Sequence, residues 1–391
     1  MLSFYYSPDL SAGSFRTTAL VQALLSKLPN DTTIDVITTL PNRYSGFSSD
    51  APSIEDNGRV NIRRIKLPTH KSGMFDQSKA FIWFALQVLR YVYGRQYSLV
   101  YATSSRLMTA FLGAVIARQK KSVFYVDIRD IFIDTVGDIL PRTLVVILRP
   151  FLSFMEKFVV SSAHTVNLVS AGFKQYFLSR YPNAKYVFFT NGIDSEFIDS
   201  ISEEVVTSNL KAELSVLYAG NIGEGQGLHL IIPALAKRFE GRLKFKIIGD
   251  GGRIQQLKEA LQLMNCQNVE LLAPVKREAL IDHYKNADIL FLHLNDYEAF
   301  HKVLPSKLFE YAAMGKPMWA GVAGYPAEFV KNEIENAVVF QPCNDADAEE
   351  AFSHLSMKTL PRNDFVEKFA RSNIMSRMAD DIILAQVEKK S

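Results

Sequence analysis

The chain has 391 residues, 48% of them hydrophobic and 22% charged, the composition of an ordinary soluble globular protein. That length is too great for a typical single core and predicts two domains. The net charge of +3 divides unevenly: residues 1–190 hold 22 Lys and Arg against 12 Asp and Glu, net +10, and the rest hold 22 against 29, net −7. A basic first half fits an anionic partner such as a membrane face or a lipid phosphate, or else a solvated basic surface. Cys266 and Cys343 are the only cysteines and lack metal-ligand spacing, which fits a reducing cytosol and excludes a disulfide framework. The start, Met1 to Tyr6, lacks a basic n-region, so no signal peptide is expected. No uncharged apolar run reaches the roughly 18 residues of a bilayer span, so the chain is not expected to cross a membrane by itself.

Short apolar runs alternate with helical patterns throughout, which predicts βα units on parallel sheets. The first predicted strand is 2–6, followed by a loop over 7–16 and a helix over 17–28. Further strands are predicted at 34–39, 60–65, 99–102, 123–126, 165–169 and 187–190. Two stretches stand apart. Residues 79–97 are rich in Phe, Trp and Tyr and carry Lys79, Arg90 and Arg95; residues 143–160 are very apolar, with Arg142 just before them and Arg149 and Lys157 inside. Cationic, aromatic helices of this kind either lie in a bilayer interface or are crossover helices with one buried face. Asn191-Gly192-Ile193-Asp194 forms a turn, after which the pattern restarts. Strands follow at 215–218, 244–248, 269–271, 289–294, 318–320 and 337–340, and a helical tail covers about 362–390. Two doubly wound domains facing each other across a cleft would receive ligands at their strand C-termini.

The stretch from Lys302 to Pro317 holds the densest chemistry. Ser306 is placed as an N-cap behind Pro305, although Phe309 takes the position a capping-box glutamate would need. Gly315 sits where a left-handed C-cap belongs, and Pro317 stops the helix. A helix start that carries Lys307 is an anion site, and Glu310 one turn inside is tolerable there only if it accepts hydroxyl protons, for instance from a ribose. That combination points to a nucleotide. Gly220-Asn221-Ile222-Gly223-Glu224-Gly225-Gln226-Gly227 follows a strand and opens a helix, a phosphate-compatible geometry without dinucleotide spacing or a P-loop lysine. Gly249-Asp250-Gly251-Gly252 is a further turn after a strand, and Gly13 lies in the loop after the first strand, where a backbone can approach a diphosphate or simply turn. Asp127-Ile128-Arg129-Asp130 and Ser104-Ser105-Arg106 stand at strand ends. They would position acceptor hydroxyls or bind phosphate, or form a structural ion pair. The histidines are scattered without metal-ligand spacing; His301 lies in the 298–306 loop, and the others, His293 among them, are assigned ordinary structural or surface roles. Asp345-Ala346-Asp347 is formally an Asp-x-Asp but reads better as the start of a helix, and no tightly bound catalytic metal is expected.

Pro305-Ser306-Lys307-x-x-Glu310-Tyr311, with Tyr218-Ala219-Gly220-Asn221-Ile222-Gly223 and Gln226-Gly227-Leu228 upstream, resembles family 4 of the retaining GT-B glycosyltransferases. The similarity is to a bacterial branch of O-antigen and capsule transferases of the N-acetyl-L-fucosamine type. It implies an α/β GT-B fold, with an acceptor-binding Rossmann-like domain at 1–192, a nucleotide-sugar domain at 193–372 and a helix at about 373–391 packing back on the first. It implies donor contacts from Gly220, Asn221, Gly223, Gln226, Gly249, Val275, Glu298, His301, Lys302, Leu304, Pro305 and Ser306, with the base held by backbone near Val275. Gly13, Arg16, Asp127, Arg129, Lys307 and Glu310 become the catalytic set, and Ser105, Arg106 and Asp130 the acceptor set. Two departures stand out. The family commonly carries Arg and Lys where this chain has Asn221 and Gln226, so Lys307, Arg16 and Lys302 are the expected substitutes. The first of the family's two glutamates is Lys302 here, which leaves Glu298 as the nearby carboxylate. The implied reaction retains anomeric configuration and uses a UDP-sugar as substrate, with no cofactor. Its acceptor is a polyprenyl-diphosphate-linked saccharide at the cytoplasmic face of the plasma membrane, and no nucleic acid is involved. No protein nucleophile is evident, so a same-face mechanism assisted by the leaving diphosphate is expected. A nucleotide-sugar 2-epimerase and a non-catalytic nucleotide-sugar scaffold are the alternatives.

Overall fold

The computed structural model describes residues 1–9, 11–41, 51–68, 74–134, 142–200 and 212–388. Leu10 of the predicted first loop, the Arg142 side chain and residues 389–391 of the predicted tail lie outside the described residues. The chain divides into two compact units, Met1–Thr190 with Arg371–Ser391, and Asn191–Ala370.

The first unit runs α1 (Ala12–Lys27), β1 (Ile34–Thr39), β2 (Ile54–Asp56), β3 (Val60–Ile65), α2 (Met74–Val92), β4 (Leu99–Thr103), α3 (Leu107–Lys120) and β5 (Val123–Ile128). It continues with α4 (Arg142–Ser162), β6 (Thr165–Leu168), α5 (Lys174–Arg180) and β7 (Tyr186–Val187). The strands form two groups, β1-β3-β2 and β4-β5-β6-β7, parallel apart from the short β2. Leu2 links them through parallel bridges to Ile37 and Ala102. The expected strand over 2–6 is thus reduced to one bridging residue, Leu2. Leu2, Phe4 and Tyr6 do alternate inward, but past Ser3 the backbone is held by side chains, the Thr39 hydroxyl donating to the Phe4 carbonyl at 2.8 Å. The predicted strand over 187–190 shrinks to two residues for a similar reason: the Phe189 N–H donates to Asn167 Oδ1 at 2.7 Å instead of to a neighbouring strand.

Helix α1 begins at Ala12, earlier than its apolar periodicity indicates, because Ser11 Oγ caps the Ser14 N–H. This brings Arg16 into the core. Arg16 and Asp127 are both 0% exposed and form a two-pronged pair, Nε to Oδ2 at 2.9 Å and Nη2 to Oδ1 at 3.1 Å. The remaining guanidinium donors take the Phe189 and Thr190 carbonyls, and Tyr101 and Asn167 also donate to the carboxylate. A buried charge is tolerated when it is paired and hydrogen-bonded, as both members of this pair are. The last helix of the chain, Arg371–Glu388, packs on α1 within this unit, with Lys27 paired to Asp380 and Tyr125 donating to Asp381.

The second unit contains α6 (Ser195–Ile198), β8 (Leu214–Asn221), α7 (Leu228–Arg238), β9 (Leu243–Asp250), α8 (Ile254–Leu263), β10 (Val269–Leu272), α9 (Arg277–Asn286) and β11 (Ile289–His293). It closes with α10 (Ser306–Ala313), β12 (Met318–Gly321), α11 (Tyr325–Glu333), β13 (Ala337–Phe340), α12 (Asp345–Ser353) and α13 (Asn363–Phe369). All six strands are parallel, in the order β10-β9-β8-β11-β12-β13. Counted within the unit this is 3-2-1-4-5-6, the doubly wound order whose direction reverses between β8 and β11. Its core packs Trp319 against Phe239, Phe291, Phe340 and Phe352. Ligands bind such sheets beyond the carboxyl ends of the strands at the reversal, which here means the segments after Asn221 and His293.

Candidate functional site

At the end of β8 the backbone is stripped of side chains. Gly249 has φ +154°, and a Cβ there would lie 1.8 Å from the Gly220 carbonyl oxygen. Gly220 has φ +144°, and a Cβ there would lie 1.8 Å from Lys307 Nζ. Only glycine allows both approaches, which lay the lysine across the end of the strand. The Lys307 ammonium also sits 5.5 Å above the Tyr218 ring, a cation–π contact.

Lys307 is the second residue of α10. The N-cap of this helix is Pro305 and no side chain caps it, so Ser306 is the first helical residue rather than the cap the sequence indicates. Proline fixes an extended-compatible φ but offers no side-chain oxygen; its carbonyl accepts the Leu308 N–H at 3.1 Å, and the first turn has no side-chain cap. Gly315 at φ +70° takes the expected left-handed position after the helix. Glu310 stands one turn beyond Lys307, where Tyr284 Oη donates to it at 3.4 Å. Burial raises the Tyr284 pKa well above its ordinary value, and the neighbouring Tyr311 and Glu310 raise it further, so the phenol stays a donor. Arg277, paired with Asp194 and 3.6 Å from Glu196, adds positive charge near Glu310. Tyr311 ties α10 to β8 by accepting the Ala219 N–H at 3.0 Å.

The loop after β8 is held by side chains of its own and of β11. Gln226 Oε1 accepts from Asn221 Nδ2 at 2.6 Å and from the Gly223 N–H at 3.2 Å. His293, fully buried, bonds the Gln226 carbonyl through Nδ1 at 2.7 Å and accepts the Cys343 N–H at Nε2 at 3.0 Å. Asn295 donates to the Glu224 carbonyl, while Tyr297 and Arg253 both donate to the Glu224 carboxylate. Among the predicted donor residues, Gly220, Asn221, Gly223, Gln226 and Gly249 therefore come together with Lys307 at one end of the sheet. Leu304 is buried, its carbonyl accepting from Asn191. His301 is paired with Asp296 at 2.7 Å and lies 3.9 Å from Glu298, whose side chain is exposed. Val275 lies in the connection between β10 and α9, and Lys302 directly follows the turn 298–301.

In the first unit Arg16, Asp127 and Gly13 lie elsewhere than an open strand-end loop. Arg16 and Asp127, expected among catalytic groups, are sealed in the core by the pair described above and present no surface to a ligand. Burial alone would raise the Asp127 pKa, but the Arg16 and Arg129 charges and hydrogen bonds from Arg16 and Asn167 hold it below the usual range. Gly13, expected in an open loop, lies in the first turn of α1 with Ser105 Oγ packed against its missing side chain. Arg129 lies 4.0 Å from Asp127 and is largely covered, Arg106 stacks 4.1 Å over the Phe4 ring, Ser105 shares a hydrogen bond with Thr103, and Asp130 is exposed. Asp345 is engaged by Arg238, and Asp347 accepts the Gln341 N–H, beside the true cap Asn344. Sequence reasoning did not single out Arg253 or Tyr297, gave His293 an ordinary role, and quoted Tyr311 without assigning it one. Tyr311 was signalled by its place directly after Glu310 in the quoted pattern.

The arrangement at the β8 end, a cation over bare backbone with a carboxylate one helical turn away, suits a phosphate joined to a polyol. Residues 202–371 match the family model of glycosyl transferases group 1. Over 100 residues the chain is 35% identical to the putative colanic acid biosynthesis glycosyl transferase WcaI of Escherichia coli strain K12, covering 26% of this chain and 24% of that one. The match thus spans about a quarter of the curated relative. The sucrose-phosphate synthase of Thermosynechococcus elongatus aligns over 100% of this chain and 96% of its own, with TM-score 0.74 at 14% identity. HepE of Anabaena, solved in complex with UDP, aligns over 100% and 98%, with TM-score 0.58 at 13% identity. These likenesses show the fold, which is GT-B: two Rossmann-like α/β units.

Burial lowers the His293 pKa from 6.5 to about 4, against a smaller upward pull from the Gln226 carbonyl. The unfolded chain takes up this proton below pH 6.5 and the folded chain refuses it until about 4. The contribution is complete above 6.5 and is lost as pH falls through 4. The urea stability gap between wild type and His293→Asn should therefore narrow by about 3 kcal/mol between pH 7 and pH 4. A gap that stays constant with pH would contradict a buried neutral ring.

Proposed function

We propose that this protein is a retaining glycosyltransferase that moves an acetamido sugar, such as N-acetyl-L-fucosamine, from a UDP-sugar to a polyprenyl-diphosphate-linked saccharide. The product belongs to O-antigen or capsular polysaccharide assembly. The observation that carries the reading is the placement of Lys307 over Gly220 with Glu310 one turn on, at the reversal point of a doubly wound sheet. Lys307 and the start of α10 would offset charge on the departing diphosphate, where most of the rate acceleration is needed. Glu310, with Arg277 and Tyr284 behind it, would accept the ribose hydroxyls. With Arg16 committed to the core, Lys307 is the cation the reading relies on. The first unit would bind acceptor, with Arg106, Arg129, Ser105 and Asp130 nearest its strand ends. The name of WcaI supports the polysaccharide context, and the UDP in HepE supports the donor base.

The membrane part of the reading rests on two helix faces of the first unit. On α4, Val146, Ile147, Phe151 and Phe154 are exposed along one stripe, with Arg149 and Lys157 beside them. On α2, Ile82, Trp83, Leu86 and the following Tyr93 form a second stripe, with exposed Lys79 and Arg90. Apolar stripes bordered by cations match the interfacial region of an anionic bilayer. No helix among the described residues is long and apolar enough to cross a membrane. A second reading, a nucleotide-sugar scaffold without turnover, is favoured by one observation: Asn221 and Gln226 bond each other where the resembled family carries cations.

Calorimetric titration should show UDP binding by the wild type. Glu310→Ala should weaken both UDP and uridine about 10- to 100-fold, the range of a hydrogen bond to a charged group, whereas Lys307→Met should weaken UDP and leave uridine nearly unchanged. Equal losses for both ligands in both variants would sink the division of labour. The protein should also float with vesicles containing anionic lipid, and Ile147→Ser with Phe151→Ser should cut that binding about 10-fold or more. Flotation indifferent to anionic lipid and to this double change would remove the membrane from the account.

A further inference from the structure

His293 ends β11, one of the two strands at the reversal of the sheet, and its ring reaches sideways to the loop that ends β8. The ring is held on every side. It stacks parallel to Phe291 at 6.1 Å, and Gly321 leaves the space it occupies, since a Cβ there would lie 2.3 Å from His293 Cδ2. The Cys343 N–H donates to Nε2 at 3.0 Å, and a ring nitrogen can accept only when it bears no proton. The proton therefore sits on Nδ1, 2.7 Å from the Gln226 carbonyl oxygen. Gln226 in turn spreads one side-chain oxygen over Asn221 Nδ2 and the Gly223 N–H. The chain of contacts thus runs from a rigid strand to the two amide side chains standing where cations would otherwise be. A loop that must recognise phosphate with neutral donors depends on their placement more than one carrying long flexible cations does.

We infer that His293 is a positioning residue for nucleoside diphosphate binding: its Nδ1–H holds the Gln226 carbonyl, and through it the Gln226–Asn221–Gly223 bridge, at the end of β8. The inference rests on reading that loop as the diphosphate site. Asparagine and glutamine separate the two ring nitrogens, because an Asn amide reaches the Nδ1 position and a Gln amide the Nε2 position. His293→Asn keeps the hold on Gln226 and loses Cys343; His293→Gln does the reverse. Each forfeits one buried hydrogen bond, so a merely structural ring predicts parallel losses of Tm and of ligand affinity.

UDP is titrated calorimetrically into the wild-type chain and both variants, with Tm measured alongside. The expected result is a similar fall in Tm for both, UDP affinity within about 3-fold of wild type for His293→Asn, and about 10- to 30-fold weaker for His293→Gln. Equal affinities in the two variants, whether reduced or unchanged, would overturn the inference while leaving the donor site standing. A wild type that binds no nucleoside diphosphate would overturn both. Should neither variant fold, ¹⁵N spectra of the wild-type histidines decide: an Nδ1–H tautomer with a hydrogen-bonded proton is expected, and an Nε2–H tautomer for the buried ring overturns the assignment.

Discussion

The close approach of two glycines organises the second unit. Gly249 lies so near the Gly220 carbonyl that neither strand end can carry a side chain toward the other, and the space so cleared is filled by Lys307 from α10. Tyr311, on the same helix, accepts a hydrogen bond from the residue just before Gly220. Helix and strand are thus locked at two points within one turn, and Glu310 lies between them in sequence. Positions and charges at this end follow from that lock: a lysine over backbone, a carboxylate beyond it, and a loop whose polar groups are already bonded to one another.

Electrostatics divides the two units differently from what a residue count indicates. The first half is basic by +10, yet Arg16 is neutralised in the core by Asp127, and Arg129 is drawn toward the same carboxylate. Among the exposed cations of that half, those on α2 and α4 stand beside apolar stripes. In the acidic second half, Lys307 occupies a place where bare backbone and a helix start converge. A formal charge total describes neither arrangement; burial and pairing decide which charges reach a ligand.

Much of the fold was legible from local pattern. All six strands of the second unit lie where alternation of apolar runs and helical periods placed them, within a few residues at their ends, because parallel strands buried on both faces leave continuous apolar runs. The helix at Ser306 was likewise visible from Pro305 and Gly315, with the cap misplaced by one residue. What failed was non-local. The partner of Arg16 is 111 residues away, and no spacing announces it. The bridge at Leu2 has the inward alternation of a strand, but its bonding is taken over by threonine side chains from β1. His293 lies in the apolar run Leu290 to Leu294, where a ring bonded to a loop 67 residues away looks like any core histidine. The stripes on α2 and α4 were periodic in sequence, but periodicity alone does not say whether an apolar stripe faces the core or solvent.

The central claim is transfer, and transfer is most directly tested by supplying the wild type with UDP-linked acetamido sugars and a polyprenyl-diphosphate saccharide, following both UDP release and sugar in the lipid extract. The account predicts UDP release that requires the acceptor and matches the lipid-borne sugar mole for mole, with the donor's anomeric configuration kept. UDP-sugar bound tightly and returned unchanged with every acceptor would make the protein a scaffold, and an isomerised sugar formed without acceptor would make it an epimerase.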